Sequence, residues 1–332
     1  MNSSRPLVSV VMPLFNHESY VEEAVNSVLS QSYKNFELII IDDCSKDASV
    51  ERLSQFQDGR IRTFFHAENL GAHATINEGV SLARGEYVSL INSDDIYKAQ
   101  RLDTLYGLCT NNNVSLAGTA MELIDEKGKR VRSAIHWWNE WYNDLVKCYI
   151  DTGDLNLALL RGNFFITTSN FFFRRSLVDQ IGQFQAYRYV HDYEFLLRAA
   201  SHAGVRVVFF HDQPLLSYRL HRTNTIRENA KEANRETFDI LIDYGSKCVA
   251  ADLRKGHAAL LAHLQKIRHY LEDAYERSCC GDNSTNEGVN REVNFLRNEI
   301  LKITATRGYR FEKALYEFYL RVRNLMKKDG VA

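Results

Sequence analysis

Apolar positions in the first hundred residues fall in short unbroken blocks separated by amphipathic stretches. Leu7–Met12 (LVSVVM) is a β-branched block closed by Pro13, and Phe36–Ile41 (FELIII) is a second. Both have the length and continuity of strands buried on two faces. Between them Tyr20, Val21, Ala24, Val25, Val28 and Leu29 share one face of a helix that starts near Glu18 or Ser19. The alternation continues with Ile61–Phe65 extended, Ala72–Ala83 helical, Glu86–Ile91 extended, Lys98–Cys109 helical and Ser115–Leu123 extended. Repeated βαβ units predict an α/β fold with a mostly parallel sheet flanked by helices. Phe171–Phe173 reads as a core strand, Tyr193, Leu196, Leu197 and Ala200 as a helical stripe, and Val205–Phe210 as a last strand.

From about Ile226 the texture changes. Pro6, Pro13 and Pro214 all lie earlier, and helical periodicity takes over at roughly Glu228–Tyr244, Ala250–Arg277, Glu287–Ile303 and Arg310–Lys327. The expected organisation is a catalytic domain over residues 1–225 and a helical region over 226–332. In the last helix Arg307, Arg310, Lys313, Arg321, Arg323, Lys327 and Lys328 interleave with Tyr309, Phe311, Leu315 and Phe318. Such a basic amphipathic helix suits peripheral contact with an anionic membrane surface, and equally a solvated face or the pairing of two subunits.

Charge and cysteine usage narrow the class. The 332 residues carry 41 basic and 42 acidic side chains, a net charge of −1, so no global excess points to nucleic acid. The six cysteines form no CxxC pair and no metal-finger spacing, which fits a reducing compartment. No apolar run reaches the ~18–20 residues of a membrane-spanning helix, and no signal-peptide core is visible. The expectation is a cytoplasmic protein, at most peripheral on the inner face of the plasma membrane.

In open α/β sheets ligands bind beyond the carboxyl ends of the strands. After the first strand stands Pro-Leu-Phe-Asn, with neither GxGxxG nor GxxxxGK[ST]. Asp42-Asp43 follows the second strand, and Asn92-Ser93-Asp94-Asp95 follows the strand Glu86–Ile91. A hard divalent cation such as Mn²⁺ or Mg²⁺ is commonly held by one or two carboxylates plus substrate phosphates. Asp94 and Asp95 can supply a partial cage, while Asp42 or Asp43 can accept from a base N–H or a ribose hydroxyl. Acidic residues after strands also cap helices; two such pairs at two strand ends favour the ligand reading.

Val8–Phe15, Asn16, Glu23–Leu29, Gln31-Ser32-Tyr33, Asp42-Asp43-x-Ser45-x-Asp47, Asn69-x-Gly71, Asn77-x-Gly79, Ala83–Tyr87 and Asn92–Asp95 together resemble family 2 of the inverting glycosyltransferases. The resemblance spans about Val8 to Asn224. It implies a GT-A fold, a nucleotide-diphosphate-sugar donor (a UDP-sugar by default) and a glycan or lipid-linked glycan acceptor. It implies nucleotide contacts at Pro13, Phe15, Asn16, Asp42, Asp43, Asn69, Asn92 and Ser93. The family's Asp-x-Asp metal motif falls on Asn92-x-Asp94, so Asn92 departs from it, and Asp94 becomes the ligand of Mn²⁺ or Mg²⁺. His191-Asp192-Tyr193-Glu194 resembles the segment carrying the general base, which places that role on Asp192. Ser217–His221 resembles a Tyr-Arg-x-His segment, with Arg219 expected near the diphosphate and His221 as a metal ligand. Thr168, Ser169 and Trp137 are expected on the acceptor side. Two other classes remain at this stage: a nucleotidyltransferase or sugar-nucleotide pyrophosphorylase, and a non-catalytic nucleotide-sugar-binding scaffold, possibly a homodimer.

Overall fold

The computed structural model describes residues 7–131, 137–221, 224 and 229–249. Strands β1 (Val8–Leu14), β2 (Phe36–Asp42), β3 (Ile61–Phe65), β4 (Tyr87–Leu90), β5 (Ile96–Tyr97), β6 (Leu116–Ile124), β7 (Phe172–Arg174) and β8 (Val207–Arg219) form one sheet. Its order is β3-β2-β1-β4-β7-β6-β8-β5. The first half is parallel, as the βαβ reading expects, with β1 between β2 and β4. Beyond β4 the sheet is mixed: β7 runs antiparallel to both β4 and β6, β8 runs parallel to β6, and β5 runs antiparallel to β8.

The two uninterrupted apolar blocks became the most enclosed strands: β2 is buried throughout and β1 nearly so. Helix α1 (Val21–Leu29) buries Val21, Ala24, Val25 and Val28, the stripe seen in the sequence. Helices α2 (Ser49–Leu53), α3 (Ala72–Leu82) and α4 (Arg101–Asn112) follow, α3 burying Ile76 and Val80 and α4 burying Leu102, Leu105 and Cys109. A second core is aromatic, with Phe171, Phe173, Phe184 and Phe195 in mutual ring contact between β7 and α8 (His191–Ser201). Helix α7 (Leu177–Ile181) connects them.

Strand β8 is longer than the expected Val205–Phe210. It passes through Pro214, because the register jumps from Thr119↔Phe210 to Ala120↔Pro214 and leaves His211–Gln213 as a bulge. A proline at a bulge costs the ladder no hydrogen bond.

By packing the described residues fall into two units: those of 7–141 with 165–221 and 224, and those of 142–164 with 229–249. The segment 142–164, which the expected boundary near 225 put in the first domain, thus groups with the later residues. Helices α5 (Trp137–Thr152), α6 (Leu155–Arg161) and α9 (Ala230–Val249) complete the elements, and α9 covers the helix expected at Glu228–Tyr244. Within the second unit Tyr149 stacks on Phe164 and the Tyr244 hydroxyl donates to Asn156 Oδ1 at 2.6 Å. The helices expected at Ala250–Arg277, Glu287–Ile303 and Arg310–Lys327, the basic helix included, lie outside the described residues. No helix among the described residues is long and apolar enough to cross a membrane. Cys44, Cys109 and Cys148 are free thiols.

Candidate active site

The carboxyl ends of β1, β2 and β4 lie side by side in the parallel half of the sheet, so the segments that follow them share one edge. After β1, Asn16 takes a left-handed backbone (φ 51°), which Asn tolerates better than most residues. Its amide N–H donates to Ser45 Oγ, and its side-chain oxygen accepts from the Lys46 N–H at 2.8 Å. Asn16 therefore ties the loop after β1 to the loop after β2. Phe15 beside it is 42% exposed, an apolar face left open at this edge. Pro13 stands within β1, opposite Ile41.

The two carboxylates after β2 are not equivalent. Asp43 accepts from the Leu70 and Gly71 N–H groups, both at 2.8 Å, and pairs with His66 Nδ1 at 2.7 Å. Asn69 donates to the Asp43 carbonyl, so both hold the 66–71 loop against β2. The other imidazole nitrogen of His66 meets Glu78 at 2.8 Å. Burial opposes a charge on that ring, but the two carboxylates outweigh it and raise its pKa. Asp42 accepts from the Ser45 N–H through one oxygen, while its other oxygen is buried without a hydrogen-bond partner. The unsatisfied acceptor thus falls on Asp42, where a ligand N–H or hydroxyl would complete it.

After β4 the chain crosses to the opposite edge of the sheet through Ile91–Asp95. Asn92 is held on three sides: its N–H donates to Ser169 Oγ, its amide nitrogen to Thr167 Oγ1, and its oxygen accepts from Thr168 Oγ1. Ser169 also donates to Asp95 Oδ2, and the Arg219 N–H donates to Asp95 Oδ1 at 3.0 Å. Both Asp95 oxygens are therefore engaged inside the fold, which removes Asp95 from the expected cage. Its carboxyl is raised well above the usual range by burial and by Asp94 beside it. The acceptor-side expectation for Thr168 and Ser169 fails for the same reason. Both are buried in the 3₁₀ turn Thr168–Asn170, holding Asn92 and Asp95. Trp137 opens α5, but its side chain lies outside the described residues.

Asp94 turns the other way. Its Oδ2 lies 2.8 Å from His221 Nε2, both residues being buried. His17, from the turn after β1, joins them. Each of His17, Asp94 and His221 offers one ligand atom, and the three atoms lie within 4.8 Å of one another. His17 is aimed by its surroundings: its N–H donates to Ser49 Oγ, its carbonyl accepts from Tyr20 and Val21, and its Nδ1 meets Ser93 Oγ at 2.7 Å. Burial would raise the Asp94 carboxyl, yet His17 and His221 bring it below its ordinary value.

Arg219 corrects another expectation. Its side chain is 1% exposed; Nε donates to the Asp94 carbonyl at 2.8 Å and Nη1 to the carbonyls of Asp125 and Glu126. Nη2 pairs with Glu23 at 2.5 Å, and the guanidinium lies against the Tyr20 ring, which also packs on His221. Arg219 is spent on the backbone that carries Asp94, so it positions the site and does not face a diphosphate. Asp192 is buried in the first turn of α8 and accepts from the Tyr193 N–H at 2.7 Å. Burial, then His73 nearby, push the preceding His191 down to about 4, so that ring is neutral at neutral pH.

The edge thus combines an open aromatic face, an unsatisfied buried carboxylate oxygen and a convergent His-Asp-His group. TuaG of Bacillus subtilis (strain 168), described as a putative teichuronic acid biosynthesis glycosyltransferase, is 35% identical over 138 residues, 41% of this chain and 55% of that protein. The glycosyltransferase GlyG of Streptococcus pneumoniae serotype 4 is 45% identical over 103 residues, 30% of this chain and 34% of that protein. The chain thus spans about half or less of these relatives. Among solved structures, S. aureus TarS 1-349 in complex with UDP-GlcNAc matches with a TM-score of 0.57 at 18% identity, covering 79% of this chain and 72% of that one. The mannosyltransferase PcManGT from Pyrobaculum calidifontis, in complex with GDP-Man and Mn²⁺, matches with a TM-score of 0.53 at 14% identity, covering 98% and 89%. These likenesses show the GT-A fold. The model of glycosyl transferase family 2 matches residues 9–182, more than half of the chain, and the protein belongs to that family.

Proposed function

We propose that this protein transfers a sugar from a nucleotide-diphosphate-sugar, by default a UDP-sugar, to a hydroxyl of a bacterial surface glycan or its lipid-linked precursor, with inversion at the anomeric carbon. The observation that carries the reading is the placement of Asp42 and the Asp94–His221 pair on one sheet edge in a family 2 chain. Asp42, with Asp43 fixing the neighbouring loop, accepts from the base, and the exposed Phe15 ring packs against it. Asn16, Asn69, Asn92 and Ser93 shape this cleft mainly by holding its walls.

Asp94 and His221 would hold a divalent cation, Mn²⁺ or Mg²⁺ by family resemblance; the carboxylate fits either ion, and the imidazole favours the transition ion. When bound, the ion neutralises charge that develops on the leaving diphosphate. Asp192 takes the proton of the attacking hydroxyl. It stands in the first turn of α8, buried, beside the segment Tyr193–Glu194. The neutral His191 beside it adds no competing charge. The names of TuaG and TarS, and the UDP-GlcNAc and GDP-Man in the similar structures, support the donor and acceptor classes. Use of a nucleotide-sugar donor supports a cytoplasmic site of action.

A thermal-shift panel of nucleotide diphosphates and their sugars, with and without Mn²⁺, identifies the donor by metal-dependent stabilisation. Transfer by the matching sugar nucleotide is then measured for Asp94→Ala and Asp192→Asn. Asp94→Ala should lose metal-dependent nucleotide binding, and Asp192→Asn should keep binding while transfer falls by about 10²–10⁴-fold. Parental transfer rates in both variants would overturn the mechanism.

A further inference from the structure

Three observations around Asp94 bear on which ion this chain selects. First, the neighbouring oxygen donors are already engaged. The Asn92 oxygen accepts from Thr168, and the Asp95 oxygens accept from Ser169 and Arg219. The strand-end motif therefore supplies one carboxylate and no more. Second, His17 stands with Asp94 and His221 in a group whose ligand atoms lie within 4.8 Å, and the two imidazole rings meet edge to face at 5.6 Å and 85°. Third, the His17 ring is oriented by a hydroxyl. In the tautomer that donates Nδ1–H to Ser93 Oγ, the bare nitrogen is Nε2, the arrangement in which outer hydrogen bonds fix ligand imidazoles.

We propose that His17 is a third protein ligand, so that the cation site is a two-histidine, one-carboxylate site that binds a borderline transition ion in the absence of nucleotide. The inference rests on Asp94 and His221 being the cation site of the proposed transferase, and it names the ion class that site prefers. Imidazole donors suit Co²⁺ and Zn²⁺, which such a site binds more tightly than Mn²⁺, whereas Mg²⁺ takes oxygen ligands and keeps its water. Three protein donors leave positions open for diphosphate oxygens. They also hold an ion that a site of one or two carboxylates would retain only with the nucleotide's help. The loop after β1 thereby supplies a donor that the motif after β4, with Asn92 in place of an acid, does not.

The test uses the full chain, stripped with chelator, and Co²⁺ alone as the probe, because cobalt bound to histidine nitrogen has a visible absorption that reports its ligands. The unsubstituted protein should bind one Co²⁺ without nucleotide, and about a hundredfold excess of Mg²⁺ should not displace it. His17→Ala should weaken Co²⁺ binding at least about tenfold and alter the spectrum, and Ser93→Ala should have a smaller effect of the same sign. Thermal unfolding of each apo protein, together with a His17→Gln variant, separates ligand loss from misfolding. If folded His17→Ala and His17→Gln bind Co²⁺ with parental affinity and spectrum, or if equimolar Mg²⁺ displaces it, the inference is overturned while the transferase reading stands. If Asp94→Ala also leaves Co²⁺ binding unchanged, the assignment of the cation site to Asp94 and His221 fails with it.

Discussion

Replacing Arg219 with Met separates two accounts of a deeply buried charge near the site. The substitution keeps an unbranched chain against Tyr20 and removes the guanidinium. In the folded protein that group serves the carbonyls of Asp94, Asp125 and Glu126 as well as Glu23. Glu23 is 53% exposed, so its half of the ion pair returns to water at little cost. The Asp94 carbonyl is buried and does not, whereas the Asp125 carbonyl keeps the Gly128 N–H and Glu126 is exposed to water. Leaving the Asp94 carbonyl without its charged donor costs about 2 kcal/mol, on the order of 4–8 °C in Tm for a unit of this size. Differential scanning fluorimetry and urea unfolding measure that loss. Nucleotide-diphosphate affinity is then determined at a temperature where parent and variant are both folded. A positioning role predicts a large stability loss with affinity lowered only as far as Asp94 shifts. Stability within about 0.5 kcal/mol of the parent, combined with a tenfold or greater loss of affinity, would refute the argument and return Arg219 to the diphosphate.

Other expectations follow from the same packing. At Gly85 an added Cβ would lie 2.6 Å from the Ser9 nitrogen, 2.7 Å from the Leu7 oxygen and 2.8 Å from the Tyr87 oxygen. All three are backbone atoms, so Gly85→Ala should force β1 from β4 and cost at least about 3 kcal/mol by urea unfolding. Gly107 inside α4 has nothing within 4 Å of that position, and Gly107→Ala should instead gain up to about 1 kcal/mol. His66 and His191 should give opposite pH signatures. The raised pKa of His66 means that its contribution is full below the ordinary histidine value of ~6.5 and fades as pH rises through the folded value. The stability gap between parent and His66→Gln should therefore narrow toward alkaline pH. His191, pushed down to about 4, must be charged in the unfolded chain first, so the folded state loses stability as pH falls from ~6.5 to about 4. His191→Gln should lose less over that interval, as read by unfolding at fixed ionic strength.

Much of this fold is legible in the sequence where one physical signal acts alone. β1 and β2 are continuous apolar runs because both their faces are covered, and α1 shows its stripe because only one of its faces is. Asp94 is legible as a residue beyond a strand in a familiar motif. His17 is not, since nothing in a Leu-Phe-Asn-His turn says that its ring will meet residues from β4 and from the end of β8; only the topology does. Arg219 misleads for the converse reason. A cation in a motif suggests an anionic ligand, yet its donors match carbonyls that the sequence cannot place. Thr168 and Ser169 suggest sugar-binding hydroxyls, but a 3₁₀ turn buries them against Asn92 and Asp95. Strand β8 outran its expected end because Pro214 sits at a bulge.

The crossing Ile91–Asp95 leaves β4 in the middle of the sheet and re-enters as β5 at its margin, with Asp95 tied to Arg219 on the way. For a lineage of such proteins, that geometry sorts the chain into parts that can be edited and parts that cannot. An insertion or deletion within Ile91–Asp95 would pull against two strands anchored elsewhere and would be purged. The long excursion between β6 and the turn at Thr168 is tied to the site at its two ends, through the Asp125 and Glu126 carbonyls on Arg219 and through Thr167 on Asn92, and its middle can be lengthened, shortened or exchanged while those ends stay fixed. Diversification toward new acceptors is therefore expected to accumulate there, while the crossing keeps its length.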